Sequence, residues 1–384
     1  MKMRSRRALV VVAAFAVAPV LVVLMTRAQG GPAESIPTAS KKAEEVYKNI
    51  QVLKGVPADQ VIPAMQFMSA SLGVGCEHCH VEHAFEKDDK KPKQTARKMV
   101  QMMFAINKDN FNGHREVTCY SCHHGVADPV GTPLIGEEGP KPGPREATNA
   151  GASNPATMPP ADQIIDKYVQ ALGGAEALQK VSTRVERGTL SGFGDRQFPI
   201  EVFAKAPDKR LSVMHMPNGD SITAFDGRVG WLGFSQGPPH EMSGPEVNGA
   251  RMDADFHFAL HLRQIFSQLR VERPEKVGDQ DTYLALGVNQ GQPPVRLYFS
   301  QQSGLLVRLV RYVETPVGRN PTQIDYADYR DIDAIKVPFR WTIARPGGRF
   351  TIQVEQIQQN VPIDDAKFAM PPVPAPPPAN PASP

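Results

Sequence analysis

Residues 73–85 read GVGCEHCHVEHAF, and residues 117–125 read VTCYSCHHG. Cys76, Cys79 and His80 thus form a C-x-x-C-H segment, and Cys119, Cys122 and His123 form a second. Two thiols three residues apart can each add to a vinyl group on one edge of a porphyrin, while the residue after them offers an imidazole to the iron. The chain holds four cysteines in all, so these two segments use every one of them and leave none for a structural disulfide. A zinc site built from four thiolates would use the cysteines but give His80 and His123 no task. A thioredoxin-type pair would act singly, at the start of a helix that follows a strand. The pattern therefore points to two covalently bound haem c groups, each with a histidine axial ligand.

Working outward, the segment before each motif has helical periodicity. SKKAEEVYKNIQVL, from Ser40 as N-cap, places Ala43, Val46, Tyr47, Ile50 and Leu53 on one face. A second helix is predicted from about Asp59 to a stop at Gly73, with Pro63 tolerated in its first turns. A third, KQTARKMVQMMFAIN, carries the apolar stripe Ala96, Met99, Val100, Met103 and Ile106. The unit helix, loop, haem motif thus occurs twice. Methionines gather in these helices: Met65 and Met68 before the first motif, and Met99, Met102 and Met103 before the second. Methionine is a common flexible filler of cores. A thioether aimed at a buried porphyrin is also a natural sixth ligand, which raises the reduction potential and favours electron transfer over binding of oxygen or peroxide. Among the other histidines, His78 and His124 are too close to their own motifs to reach the far face of the haem, and His114 is the rival to methionine.

The chain begins MKMRSRRALVVVAAFAVAPVLVVLMTRAQ, a basic stretch followed by an apolar run from Ala8 to Met25. This reads as a signal peptide over residues 1–28 that is cleaved after TRA, or as an uncleaved anchor, and in either case places the protein outside the cytoplasm, in the periplasm. The five basic side chains of that segment, set against 43 in the whole chain, leave 38 facing 40 acidic ones. The +3 net charge of the full chain is thus a property of the leader, and nucleic-acid binding has no electrostatic footprint. Between the motifs, EKDDKKPKQTARK offers Lys87, Lys90, Lys91, Lys93, Arg97 and Lys98. The run reads either as a solvated entry to the third helix or as a docking surface for an acidic redox partner.

The stretches VLKGVPADQVIPAMQFMSASLGVGCEHCH and TARKMVQMMFAINKDNFNGHREVTCYSCHHG resemble the cytochrome c subunit family of photosynthetic reaction centres. The resemblance covers about residues 46–126. It implies a haem lying parallel to the helix before each motif, with an axial methionine supplied by that helix: Met65 for the first haem and Met99 for the second. One haem of the family takes a distal histidine, which makes His114 the alternative to Met99. The family carries four haems, whereas this chain has motifs for two. The implied function is single-electron transfer between a redox protein donor and acceptor, in association with a membrane complex and, in the family, with photosynthesis. Two other functions are carried beside it: a haem enzyme such as a peroxidase with one open haem, and a lipid-binding redox sensor.

Residues 40–125 are thus expected to form a mainly α-helical dihaem domain. A Pro- and Gly-rich linker is expected over 126–160 and a Pro-rich tail over 373–384. Between them, ADQIIDKYVQALGGAEALQKV is amphipathic, with Ile164, Ile165, Tyr168, Val169 and Leu172 on one stripe and a stop at Gly173. The period then changes to two, with turns at Pro207-Asp208, Asn218-Gly219 and Asp226-Gly227, and one helix, DFHFALHLRQIFSQL, interrupts the strands. This predicts an α+β chain whose residues 161–372 form a large, curved antiparallel sheet with helices on one face. It resembles the half-barrel of periplasmic lipoprotein carriers and could bind an apolar ligand or a partner. His257 and His261, at i and i+4 without a third ligand, read as surface or packing residues.

Overall fold

The computed structural model describes residues 41–129 and 158–372, apart from 235, 236, 273 and 347. The leader, the expected linker core and the C-terminal tail lie outside the described residues. The first predicted helix is shorter than its periodicity suggests. It runs as α1, Ala43–Val46, and Tyr47 is already extended. The chain leaves the helical path because Asn49 adopts φ 58° and its amide donates to the Glu86 carbonyl and to Asp88 Oδ1, 3.0 Å away. Leu53, intended for the helix face, is still fully buried. The next helix follows the sequence closely: α2 is Val61–Leu72, closed by Gly73 in the left-handed conformation at φ 65°. The first motif coils into a single turn, α3, Cys76–Cys79. The third helix extends beyond its predicted ends as α4, Lys91–Asn110, and the second motif forms α5, Cys119–His123.

These elements pair crosswise. The helix before the first motif, α2, packs on the second motif, α5, while α3 packs on α4. The Gly125 amide donates to the Ser71 carbonyl at 2.9 Å. A Cβ on Gly73 would lie only 2.0 Å from the Gly125 carbonyl oxygen. Glycine is therefore needed at 73 both for its positive φ and for this close approach.

In the C-terminal part, α6 (Ala161–Ala171) ends at Gly173 and Gly174, both at positive φ, and a short α7 (Ala175–Gln179) follows. One antiparallel sheet then accounts for fourteen strands. In chain order they are β1 (Thr183–Phe193), β2 (Arg196–Lys205), β3 (Lys209–Met216), β4 (Gly219–Phe225), β5 (Gly230–Phe234) and β6 (His240–Glu241). After the helices α8 (Pro245–Ala254) and α9 (Phe258–Ile265) come β7 (Gln268–Val271), β8 (Glu275–Val277), β9 (Gln280–Val288), β10 (Val295–Ser300), β11 (Leu306–Thr315), β12 (Gly318–Ile332), β13 (Ile335–Arg345) and β14 (Gly348–Gln359). Consecutive strands are neighbours in the sheet, except that β6 and β7 stand at opposite ends of the order, β1 joins β14, and β7 and β8 both pair with β9. The inserted helix of the sequence reading ends at Ile265, because SQL already enters β7.

The main core lies between one face of the sheet and helices α6 and α9, where Leu262, Leu297 and Phe299 are almost completely buried. The other face, around Phe203, Leu211 and Trp231, is covered by the segment that contains Phe368. Trp231 Nε1 donates to the Phe368 carbonyl at 2.9 Å.

The helical part is not a separate body joined only by a linker. The turn between β11 and β12 enters its core: Val317 is fully buried among Leu53, Ala64, Val100 and Met103. Asn320 Nδ2 donates to the Pro63 carbonyl at 2.6 Å, and Arg115 binds Glu314 and the Thr315 carbonyl. Removing Val317 from water by burying it in the neighbouring helices contributes roughly 1.5–3 kcal/mol to this contact.

Candidate haem site

Both motifs open onto one cleft of about 520 Å³. Its lining includes all four cysteines and both motif histidines, and Met65, Met68, Met99, Met102 and Met103 complete it. The four thiols are free and unpaired. Cys76 and Cys122 are exposed, while Cys79 and Cys119 are partly covered, and burial pushes the thiols of these last two up. Among the described residues no three His, Cys, Asp or Glu side chains gather into a metal-binding group, so the thiols are not arranged as a tetrahedral set.

The two histidines share a geometry that the sequence does not display. His80 Nδ1 lies 2.9 Å from the Phe85 carbonyl oxygen, and His123 Nδ1 lies 3.1 Å from that of Val126. A carbonyl can only accept, so Nδ1 carries the proton in each ring and Nε2 keeps its lone pair for a metal. Each backbone acceptor lies three to five residues beyond its histidine, and the chain must turn back after the motif to present it. After His80 the turn runs through the Val81–Ala84 bridge. After His123 it passes through His124 and Gly125, both at positive φ.

Lys93 adds a charge to the first of these sites. It is 8% exposed, and its ammonium donates to the Phe85 carbonyl at 2.8 Å, the same oxygen that His80 uses. It also donates to the Lys87 carbonyl at 2.7 Å and pairs with Asp88 at 3.0 Å. Asp88 accepts from Arg97 at 2.8 Å as well as from Asn49. These hydrogen bonds hold its carboxyl well below the usual carboxylate range, Arg97 acting most strongly. Of the six cations in the run EKDDKKPKQTARK, Lys93 and Arg97 therefore serve the protein's own loop, and Lys90 reaches the Glu77 carbonyl. Lys87, Lys91 and Lys98 remain exposed.

The second motif is positioned by Asn107, a buried residue near the end of α4. Its amide donates to the Met103 and Val117 carbonyls at 3.1 and 2.7 Å, and its oxygen accepts from the Glu116 and Val117 amides at 3.0 and 2.9 Å. It thereby ties the helix to the chain entering Cys119. Asn107 was invisible as a site residue because a polar residue late in a helix usually signals only a helix end.

Met65 and Met68 pack with Val100, Met103 and Cys119 in one apolar cluster. Met99 is 37% and Met102 48% exposed toward the cleft. His114 is exposed and does not line the cleft. His257 and His261 serve packing instead. His257 Nε2 lies 3.1 Å from the Leu178 and Val181 carbonyls, and His261 Nδ1 lies 2.8 Å from Asp255.

The donor set fits a tetrapyrrole: paired thiols, an imidazole with a free Nε2 beside each pair, and thioethers across an apolar cleft. Helices that lead into C-x-x-C-H turns around such a cleft are the architecture of a c-type cytochrome domain. Residues 17–159 match the family described as "Photosynthetic reaction centre cytochrome C subunit", which bears out the resemblance drawn from the motifs. Over 102 residues the chain is 37% identical to the photosynthetic reaction center cytochrome c subunit of Thermochromatium tepidum, covering 24% of this chain and 25% of that protein. Over 83 residues it is 36% identical to cytochrome c-554 of Chloroflexus aurantiacus, covering 20% of each. The chain thus spans a quarter or less of these relatives. In fold, a LolA superfamily protein from Nitrosomonas europaea superposes on 55% of this chain and 98% of its own, with a TM-score of 0.39 and 14% identity. No helix among the described residues is long and apolar enough to cross a membrane.

Proposed function

We propose that this chain is an exported dihaem c-type cytochrome that passes single electrons between redox protein partners, one of them in a membrane-associated complex. The observation that carries the reading is the repeated geometry of the two motif histidines, each with Nδ1 committed to a backbone carbonyl and Nε2 free beside a pair of thiols on one cleft. Haem c supplies the one-electron couple. Cys76, Cys79, Cys119 and Cys122 anchor it through thioethers, which keeps the cofactor in place through repeated oxidation and reduction. His80 and His123 hold the irons, and the carbonyls of Phe85 and Val126 fix the ring planes. Met65 and Met99 are the proposed distal ligands, favoured over His114 because they line the cleft. With Met65 and Met99 beside the irons as well as His80 and His123, oxygen and peroxide would be kept out and outer-sphere transfer would be favoured. The exposed lysines Lys87, Lys91 and Lys98 suit an acidic partner surface. The large sheet domain anchors the helical part through Val317 and provides a second binding surface for a partner or apolar ligand.

The test is a pyridine haemochrome assay with intact mass determination on the exported protein. Two haems per chain are expected, falling to one in C76A/C79A and in C119A/C122A. Colourless protein, or zinc held by the thiols, overturns the reading. Resistance of the reduced protein to carbon monoxide supports the methionine ligands, and ready binding at one haem would instead indicate an enzyme with an open site.

A further inference from the structure

The face of the sheet covered by α6 and α9 holds charges that the cytochrome reading does not use. Arg184 and Glu186 on β1 and Arg210 on β3 line a second cavity, of about 230 Å³, beneath α8 and α9. The rest of its lining mixes apolar and aromatic side chains, Leu309, Ile324 and Trp341 among them, with Asp253, Asp255, His257 and a Lys336 already held by Asp331. Glu186 is only 5% exposed. Its nearest ion partner is Arg184 Nη1 at 3.8 Å, and burial pushes its carboxyl up. Both Glu186 Oε2 and Arg184 Nε are buried without a hydrogen-bond partner. The Arg210 guanidinium makes no hydrogen bond or ion pair with any described residue and lies over the Trp341 ring, 4.9 Å from its centre. Arg184 lies similarly over Phe256 at 5.4 Å.

The other acidic groups on the cavity are already satisfied. Asp253 is gripped by both nitrogens of Arg311, and Asp255 accepts from His261 and from the His257 amide. What remains is two arginines against one carboxylate. A buried charge without a partner is costly, and an arginine whose face is stacked on a ring presents its N–H edge as a fork for a carboxylate.

We propose that this cavity binds a small monocarboxylate with a short aliphatic or single-ring body, its carboxylate held by Arg184 and Arg210 and its body against the apolar wall. The excess of one positive charge sets the ligand charge, and a volume below the usual range for ligand pockets sets its size. Glu186 excludes dianions by repulsion. The proposal deepens the ligand-binding role given above to the sheet domain and does not depend on the haem reading, since none of its residues lies in the helical part.

The test is calorimetric titration of the full haem-loaded protein with hexanoate and benzoate, and with the corresponding neutral amides. One carboxylate should bind per chain, with the amides weaker by about tenfold or more, the loss expected when a charge-assisted hydrogen bond is removed. R184M and R210M should each weaken the carboxylate by a similar factor, and R210K should restore part of it. E186Q should bind as tightly as wild type or more so, and should admit succinate. The haem spectrum and haem count should be the same in every variant, which separates failure here from failure of the cytochrome reading. Binding of acid and amide alike, indifference to both arginine substitutions, or no uptake of either carboxylate by wild-type protein, as when buried water alone meets these groups, overturns the proposal. Should an arginine variant fail to fold, the acid-to-amide ratio in wild type and the succinate response of E186Q still decide.

Discussion

Replacing Asn107 with alanine tests how the second motif is held. The side chain makes four hydrogen bonds, and its loss strips partners from the Val117 amide and carbonyl, while the Glu116 amide keeps the His114 carbonyl at 3.0 Å. The Met103 carbonyl also accepts within its helix, so it loses only a second donor. Glu116 is exposed and can turn to water, whereas Val117 is partly buried and its two groups pay most of the desolvation penalty. At about 1–2 kcal/mol for each of these, N107A should destabilise the helical part by roughly 3 kcal/mol. N107D keeps the accepting oxygen and loses the donor, so it should fall between the two. The assay is guanidinium unfolding of the haem-loaded protein followed in the Soret band, with resonance Raman on the native state. Because the tie leads into Cys119, only the haem next to His123 should show an altered axial ligand signal. A loss below about 1 kcal/mol, or equal change at both haems, refutes the argument.

Three further outcomes follow from the same geometry. Lys93→Met removes a cation from the carbonyl that His80 uses, leaving a stronger acceptor for the imidazole and one positive charge fewer beside the site, so the first haem should become harder to reduce. Spectroelectrochemistry should show its potential fall while the second stays, with Lys93→Arg close to wild type, and an unchanged potential sinks the idea. Gly73→Ala places a Cβ against the Gly125 carbonyl at positive φ. It should lower stability by at least about 1–2 kcal/mol from backbone strain alone, and a thermal melt identical to wild type would refute that reading. Asp88, whose carboxyl is depressed by Arg97, Asn49 and Lys93, stabilises the loop above the ordinary carboxylate pKa of about 4 and loses that contribution progressively as pH falls below it. Acid titration should therefore show a component in wild type that is missing from Asp88→Asn; matching curves would mean that the clamp adds nothing.

Local pattern went far in this chain. The C-x-x-C-H repeats, the helix ending at Gly73, the stripe of α4 and the change from helical to alternating period all lie within windows of a few turns, where propensity and spacing decide. The first helix failed because Asn49 bonds Asp88, almost forty residues away, and that contact outweighs the helical preference of residues 47–53. Lys93 read as one cation in a charged run, since nothing in its neighbours shows that its ammonium turns inward. Val317 lies in a strand turn and carries no sign that it will plug another core.

The sequence by itself displayed the paired thiols and the imidazole beside each pair, because these residues lie three or four positions apart in one turn of chain. It also determined the α+β class, because hydrophobic period is a local quantity. Tertiary structure alone decided the crosswise pairing of helices and motifs, the carbonyls that orient His80 and His123, and the placing of the incompletely hydrogen-bonded Arg184 and Glu186 beside Arg210 on one cavity of the sheet. Each of these depends on where the chain returns in space, and that is set by burial of apolar area summed over the whole molecule, which no short window contains.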